Sequence, residues 1–225
     1  MKKIIFSFIL LFSFNAYAEI KDCKYNLKLT ENSDVIESLL TNKNYSYKNN
    51  SGKICFTDGD DGTLAFSLKN GKLSGPMEFE ITSNSKPALY VYASSYTFME
   101  QLANVNSMNP KDMKKMDKIM GKLDIIMEFY HDNGNKAYIM DMKKGDGSIT
   151  SYRRDGSMDS ITAVKNFKVH GESEIYDEKG KLYAVLKYKN DKLVSGKCVN
   201  ERKNGAEWTK AEISNYEQGL QVDCN

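Results

Sequence analysis

The sequence predicts a mainly β protein: an elongated antiparallel meander of β-hairpins, with one short helical insertion and a helix near the N-terminus. Two observations lead there, the spacing of the glycines and the register of the tyrosines. Gly134, Gly147, Gly156, Gly171, Gly180, Gly196, Gly205 and Gly219 are spaced 13, 9, 15, 9, 16, 9 and 14 residues apart. The constant nine defines units of 22 to 25 residues, read as hairpins that turn at each glycine. Tyr130, Tyr152 and Tyr176 each stand four residues before a turn glycine and keep the same register. Four cysteines, Cys23, Cys55, Cys198 and Cys224, lie towards the two ends of the array.

Residues 1–18 read as a signal peptide. Lys2 and Lys3 form a positive start, residues 4–14 are an apolar run, and Ala16-Tyr17-Ala18 supplies a small-x-small cleavage site. The run is shorter than the roughly 20 residues a membrane span needs. Cys23 follows Ile20-Lys21-Asp22, which is unlike the small apolar residues before a lipid-modified cysteine. The expectation is cleavage after Ala18 and a periplasmic or secreted chain. Removing Lys2 and Lys3 from 32 Lys+Arg leaves 30 against 30 Asp+Glu. A neutral surface of interspersed signs argues against nucleic acid and against strong association with anionic lipid.

Residues 19–53 read as an N-terminal cap. Ile36, Leu39 and Leu40 give residues 33–40 a helical stripe that could cover the first exposed sheet edge. Residues 54–95 hold the first repeat units. Here Lys69-Asn70-Gly71-Lys72-Leu73-Ser74-Gly75 echoes Lys189-Asn190-Asp191-Lys192-Leu193-Val194-Ser195-Gly196. Residues 96–121 read as the helical insertion. Met99, Leu102 and Val105 fall at three-residue steps; Asn109-Pro110 is an N-cap followed by a first-turn proline, and Met113, Met116, Ile119 and Met120 form a stripe that Gly121 ends. Residues 122–225 carry the second block of units.

The best-kept unit, residues 171–196, sets Gly171, Tyr176, Gly180, Lys181 and Leu182 ahead of Tyr188, Asn190, Asp191, Lys192 and Gly196. This spacing resembles the variant MORN repeat of bacterial antitoxin-like proteins. The likeness is close at 171–196, good at 64–75, and weaker at 129–147 and 205–219. It implies an elongated, curved β-hairpin meander defined by structural positions, and it implies no catalytic residues. The insertion, the cysteines and the export signal depart from the family pattern.

In an oxidising compartment four cysteines favour disulfides, and their neighbourhood in sequence favours Cys23–Cys55 and Cys198–Cys224. The second pair requires the tail from Gly219 to fold back, because a plain meander would leave its members two strands apart. Zinc finds no C-x-x-C and only two histidines. Asp58-Gly59-Asp60-Asp61-Gly62 invites calcium but lacks a distal glutamate at the right offset, and reads as a turn. Met113, Met116 and Met120 invite copper and read as core. No metal and no cofactor is expected. His131 and His170 are isolated, and no nucleophile or phosphate motif is present. Tyr130, Tyr152 and Tyr176 read either as a stacking ladder or as a binding row.

The functional expectation is a non-enzymatic binding or scaffold module whose partner is another exported or envelope protein. The competing expectation is an enzyme-associated inhibitor or small hydrolase, using a cleft between the helical insertion and the sheet.

Overall fold

Twelve strands join in one sheet in the order in which the chain makes them. The computed structural model describes residues 20, 22–58, 62–84, 86–99, 118, 120–199, 205–218, 222 and 224. The expected signal peptide, the body of the helical insertion with Met113, Met116 and Ile119 of its stripe, and the centre of the Asp58–Gly62 cluster lie outside these residues, while Met120 packs against the core. Of the insertion, 97–99, Lys118 and Met120 are helical.

The strands are β1 (Cys23–Lys28), β2 (Gly52–Asp58), β3 (Gly62–Lys69), β4 (Lys72–Ser83), β5 (Lys86–Ala93), β6 (Asp124–Tyr130), β7 (Lys136–Lys143), β8 (Asp146–Tyr152), β9 (Met158–Lys165), β10 (Lys168–Tyr176), β11 (Leu182–Lys189) and β12 (Lys192–Cys198). Helix α1 (Ser33–Thr41) precedes β2, and α2 (Lys210–Glu217) follows β12. Pairing is antiparallel from β2 onward, including β5 with β6 across the insertion. The insertion therefore interrupts the sequence repeat without interrupting the sheet.

Two turn types alternate along the meander. At one end of the strands, Asn70-Gly71, Lys144-Gly145, Asn166-Phe167 and Asn190-Asp191 hold positive φ at both central residues, the two-residue turn whose twist matches that of paired strands. At the other end, β4 and β5 close through the Ser83–Lys86 pair with Asn84 at positive φ, and from β6 onward three-residue loops close with a left-handed glycine. His131 N–H donates to Asn135 O and Gly134 N–H to His131 O; Arg153, Ser157 and Gly156, then Asp177, Lys181 and Gly180, repeat the pattern.

The glycines thus fall into two classes, and the reading of all of them as turn residues needs correction. Gly147, Gly171 and Gly196 lie inside β8, β10 and β12. The constant nine is the distance from a strand glycine to the following loop glycine. Close approach explains two of these: a Cβ on Gly147 would stand 1.9 Å from Asp141 O, and one on Gly196 would stand 2.5 Å from the Trp208 ring. Gly196→Ala is expected to cost about 1–3 kcal/mol by overpacking, read as a lower melting temperature with a shift in Trp208 fluorescence.

The N-terminal cap also differs from expectation. It contributes β1, which pairs parallel with β2 through α1, the crossover that a parallel pair requires. The first edge of the repeat sheet is closed by this strand, while α1 lies over the sheet face. Ile36 and Leu39 pack there against Ile54, Phe56, Leu64, Phe66 and Met77. A strand supplies the backbone donors and acceptors that an open edge lacks, which an apolar helix stripe does not.

Both disulfides join the expected partners. Cys23–Cys55 ties β1 to β2 with Cα atoms 5.8 Å apart, and Cys198–Cys224 ties β12 to the tail at 5.5 Å. The tail does fold back, but by residue 205 rather than from Gly219, and a helix stands at Lys210–Glu217 where further repeat units were expected. Residues 205–208 pair along the outer edge of β12, with Trp208 N–H donating to Gly196 O and Cys198 N–H to Ala206 O. A reciprocal Thr209–Glu212 capping box then starts α2. Tyr183 Oη donates to Val222 O and accepts from Cys224 N–H, fixing the last turn of chain beside the disulfide.

The core is divided along one face of the sheet. A large cluster runs from α1 and β2 to Ile125 on β6, and a smaller one gathers Leu186, Leu193, Trp208 and Val222 around the second disulfide. Between them the same face changes character at β7 to β9.

Candidate functional site

Tyr130, Tyr152 and Tyr176 are the last residues of β6, β8 and β10, each at the entrance to a three-residue loop. Two residues earlier, Glu128, Ile139, Thr150, Ile161 and Glu174 lie opposite one another in unbroken register across five strands. Because side chains alternate along a strand, each tyrosine shares the face of that row. A register shift before each one sets Tyr130 opposite Lys136, Tyr152 opposite Met158 and Tyr176 opposite Leu182.

The stacking-ladder reading does not hold. The tyrosines occupy every second strand, about 10 Å apart, beyond the roughly 4.5–7 Å at which rings interact. Among the described residues the ring pairs are Tyr25–Tyr47, Phe56–Phe66, Phe129–Tyr138 and Trp208–Tyr216. What fixes two of the three phenols is a carboxylate. Tyr130 Oη donates to Glu128 Oε2 at 2.5 Å, and Tyr176 Oη donates to Glu174 Oε2 at 2.5 Å. Tyr152 has Thr150 in the corresponding place.

Around Tyr130 this pairing grows into a cluster. Tyr90 on β5 stands opposite both Glu128 and Glu80, and its phenol donates to Glu78 Oε2 at 3.4 Å. Lys136 Nζ lies 2.8 Å from Glu128 Oε1, and Lys53 Nζ lies 2.7 Å from Glu78 Oε1. Glu80, opposite Tyr90, is buried. Burial, reinforced by the Glu78 carboxylate, pushes the Tyr90 phenol up to about 12. Burial and the bond to Glu128 also raise Tyr130, while at Tyr176 the bond to Glu174 is the main cause.

These shifts fix a pH response. Folding favours the neutral phenol, so the stabilisation is complete below the ordinary tyrosine value of 10.0 and is lost as pH rises towards 12. Melting temperature is expected to fall over that interval, and Tyr90→Phe should flatten the slope. A spectrophotometric phenolate titration checks the assignment.

The histidines serve turns. His131 Nε2 is 3.0 Å from Tyr152 O and His170 Nδ1 is 3.1 Å from Asn190 Oδ1. His131 thereby joins one repeat to the next. Arg153 does the same one unit later, donating to Met158 O, Tyr176 O and Asp177 O. Neither histidine meets a carboxylate within its bonds, and among the described residues no His/Cys/Asp/Glu group could hold a metal ion.

Sequence reasoning found the tyrosines and missed Glu78, Glu80, Tyr90 and Glu128. Part of the signal was present: glutamate stands two residues before tyrosine at Glu128/Tyr130 and again at Glu174/Tyr176. The contribution from β4 and β5 depends on register across the insertion, which spacing alone does not reveal. Chemically, the face offers aromatic rings held in fixed orientation, carboxylates that accept hydrogen bonds, and two ammonium groups at its margin.

No protein-family model matches the chain, and no curated protein matches it significantly. Among solved structures, the chain is similar to a point mutant of S. aureus TarM crystallised with fondaparinux, alpha-GlcNAc-glycerol and UDP. Identity is 15% and the TM-score 0.21, over 54% of this chain and 28% of that one. So shallow a superposition carries neither fold nor activity from one protein to the other.

Proposed function

We propose that this chain is an exported, MORN-type repeat protein that binds another exported or envelope protein through its tyrosine–carboxylate face, without catalysing a reaction. The observation that carries the reading is the repeated clamp, Tyr130 on Glu128 and Tyr176 on Glu174, on one face of a continuous sheet. A phenol held by a carboxylate loses little rotamer freedom when a partner arrives, so an ordered aromatic row favours recognition. Two disulfides fit an oxidising compartment, and among the described residues no helix is long and apolar enough to cross a membrane. Export by a signal peptide cleaved after Ala18, into the periplasm or beyond, completes the proposal.

Cross-linking and affinity capture from the exported fraction test it, with the wild-type chain run beside a Tyr130→Ala, Tyr152→Ala, Tyr176→Ala variant. The expected result is a reproducible partner that the variant captures at least tenfold less well. A partner held equally by both chains, or turnover of a small substrate with no partner, overturns the reading.

A further inference from the structure

The opposite face of the sheet, which carries the core, holds a second cluster that the tyrosine row leaves unexplained. One register row on that face runs Phe129, Tyr138, Ser151, Ser160, Ile175 and Ala184 from β6 to β11. The next runs Met127, Met140, Ile149, Thr162, Ser173 and Leu186. Both rows are apolar at their ends, where the two core clusters lie, and hydroxyl-bearing in the middle. Ser151 Oγ lies 2.7 Å from Ser160 Oγ, and Thr162 Oγ1 lies 2.7 Å from Ser173 Oγ. Ser173 is buried and satisfied by Thr162, whereas Ser151 and Ser160 are only half-buried, so a hydroxyl pair on this face stays within reach of a ligand.

The walls of this strip are aromatic and polar. On one side Tyr138, paired with Phe129 at a 4.8 Å ring separation, is 46% exposed although it shares the face of the buried Ile125 and Met142. On the other side Asp159 Oδ2 accepts from Ser151 Oγ at 3.2 Å, while Asp159 Oδ1 pairs with Arg153 at 2.8 Å. Tyr216 of α2 is close enough for the Asp159 carboxylate to add to the rise in its phenol that burial begins.

We propose that this strip between the two cores is a binding site for a neutral polyhydroxylated ligand, a saccharide chain. The Arg153–Asp159 pair is internally balanced, so the site has no net charge with which to hold an anion or a cation. Serine and threonine hydroxyls both donate and accept, which matches the dual character of sugar hydroxyls. The open ring of Tyr138 offers the flat apolar platform that the CH face of a pyranose covers, and few convergent polar groups beside an aromatic surface are the usual composition of such sites.

Isothermal titration of the disulfide-intact exported chain with cellotetraose, chitotetraose and maltotetraose tests this, with Trp208 fluorescence as a second readout. The chain has one tryptophan, and it lies 5.4 Å from Tyr216. The expected result is saturable binding of at least one oligosaccharide. Tyr138→Ala should weaken it by about three- to tenfold, since an aromatic contact is worth roughly 0.5–1.5 kcal/mol. Tyr138 is exposed and lies outside both core clusters, so this variant folds; Asp159→Asn, which keeps the shape, should weaken binding as well. No saturation with any of the three sugars, or unchanged affinity in Tyr138→Ala, overturns the proposal.

Discussion

Replacing Cys198 and Cys224 together by serine is expected to lower stability by about 3.5 kcal/mol, the loop-closure value for a separation of 26 residues. The loss has a place as well as a size. The disulfide anchors the tail whose residues 205–208 satisfy the outer backbone of β12. Trp208, buried against Gly196 and Leu186 and donating through Nε1 to Cys198 Sγ at 3.4 Å, sits on that same anchor. Denaturant titration followed by tryptophan emission should therefore show a red-shifted signal from the tail, at lower denaturant than the far-ultraviolet signal of the sheet. An uncovered β12 edge also offers unpaired donors and acceptors to a second chain. Light scattering should register association in the serine variant and none in the oxidised wild type. Coincident transitions with no association would mean that the tail holds its edge without the disulfide.

Phe66→Ala is expected to cost about 3–5 kcal/mol, the range for removing a fully buried phenylalanine. Phe66 is fully buried, lies between Ile54 on β2 and Met77 on β4 in register, and meets Phe56 edge-on at 6.4 Å. The cluster around it also receives Ile36 and Leu39 of α1, so the cavity would touch both the sheet and the helix that covers it. Ile149→Ala, at the half-buried centre of β8 outside both clusters, should cost markedly less. Equal losses at the two positions would contradict a core divided along the face.

The hairpin array was legible in the sequence because its turns demand particular residues. Asn190-Asp191 and the loop glycine Gly180 stand at positive φ, where few side chains are tolerated, and their spacing follows from strand length. The disulfide pairs were legible for a similar reason: each joins neighbours in sequence, and the fold-back they required is what the tail performs. Gly196 shows the limit. Its spacing marked it as a turn residue, yet it is a strand residue kept small by the ring of Trp208, twelve positions downstream. Nothing local distinguishes those two reasons for a glycine.

The candidate sites divide in the same way. Sequence placed Tyr130, Tyr152 and Tyr176 at one repeated position, and the fold sets all three on one face. That they stand on alternate strands, too far apart to stack, follows from pairing geometry. Glu80, Tyr90 and Glu128 form a row only because β5 pairs with β6 across the insertion.

By itself the sequence determined the repeat and the order of neighbouring hairpins, since these follow from backbone conformation and short-range connectivity, and it favoured the two staples among three possible connectivities. Only the tertiary structure decided the rest: the parallel strand β1 at the first edge, the folded-back tail at the last, the carboxylate held against each of two phenols, and the hydroxyl strip between the cores. The two edges are decided by long-range backbone pairing, and the two side-chain clusters by which face a residue occupies after several register shifts, where a shift of one residue sends it to the other side.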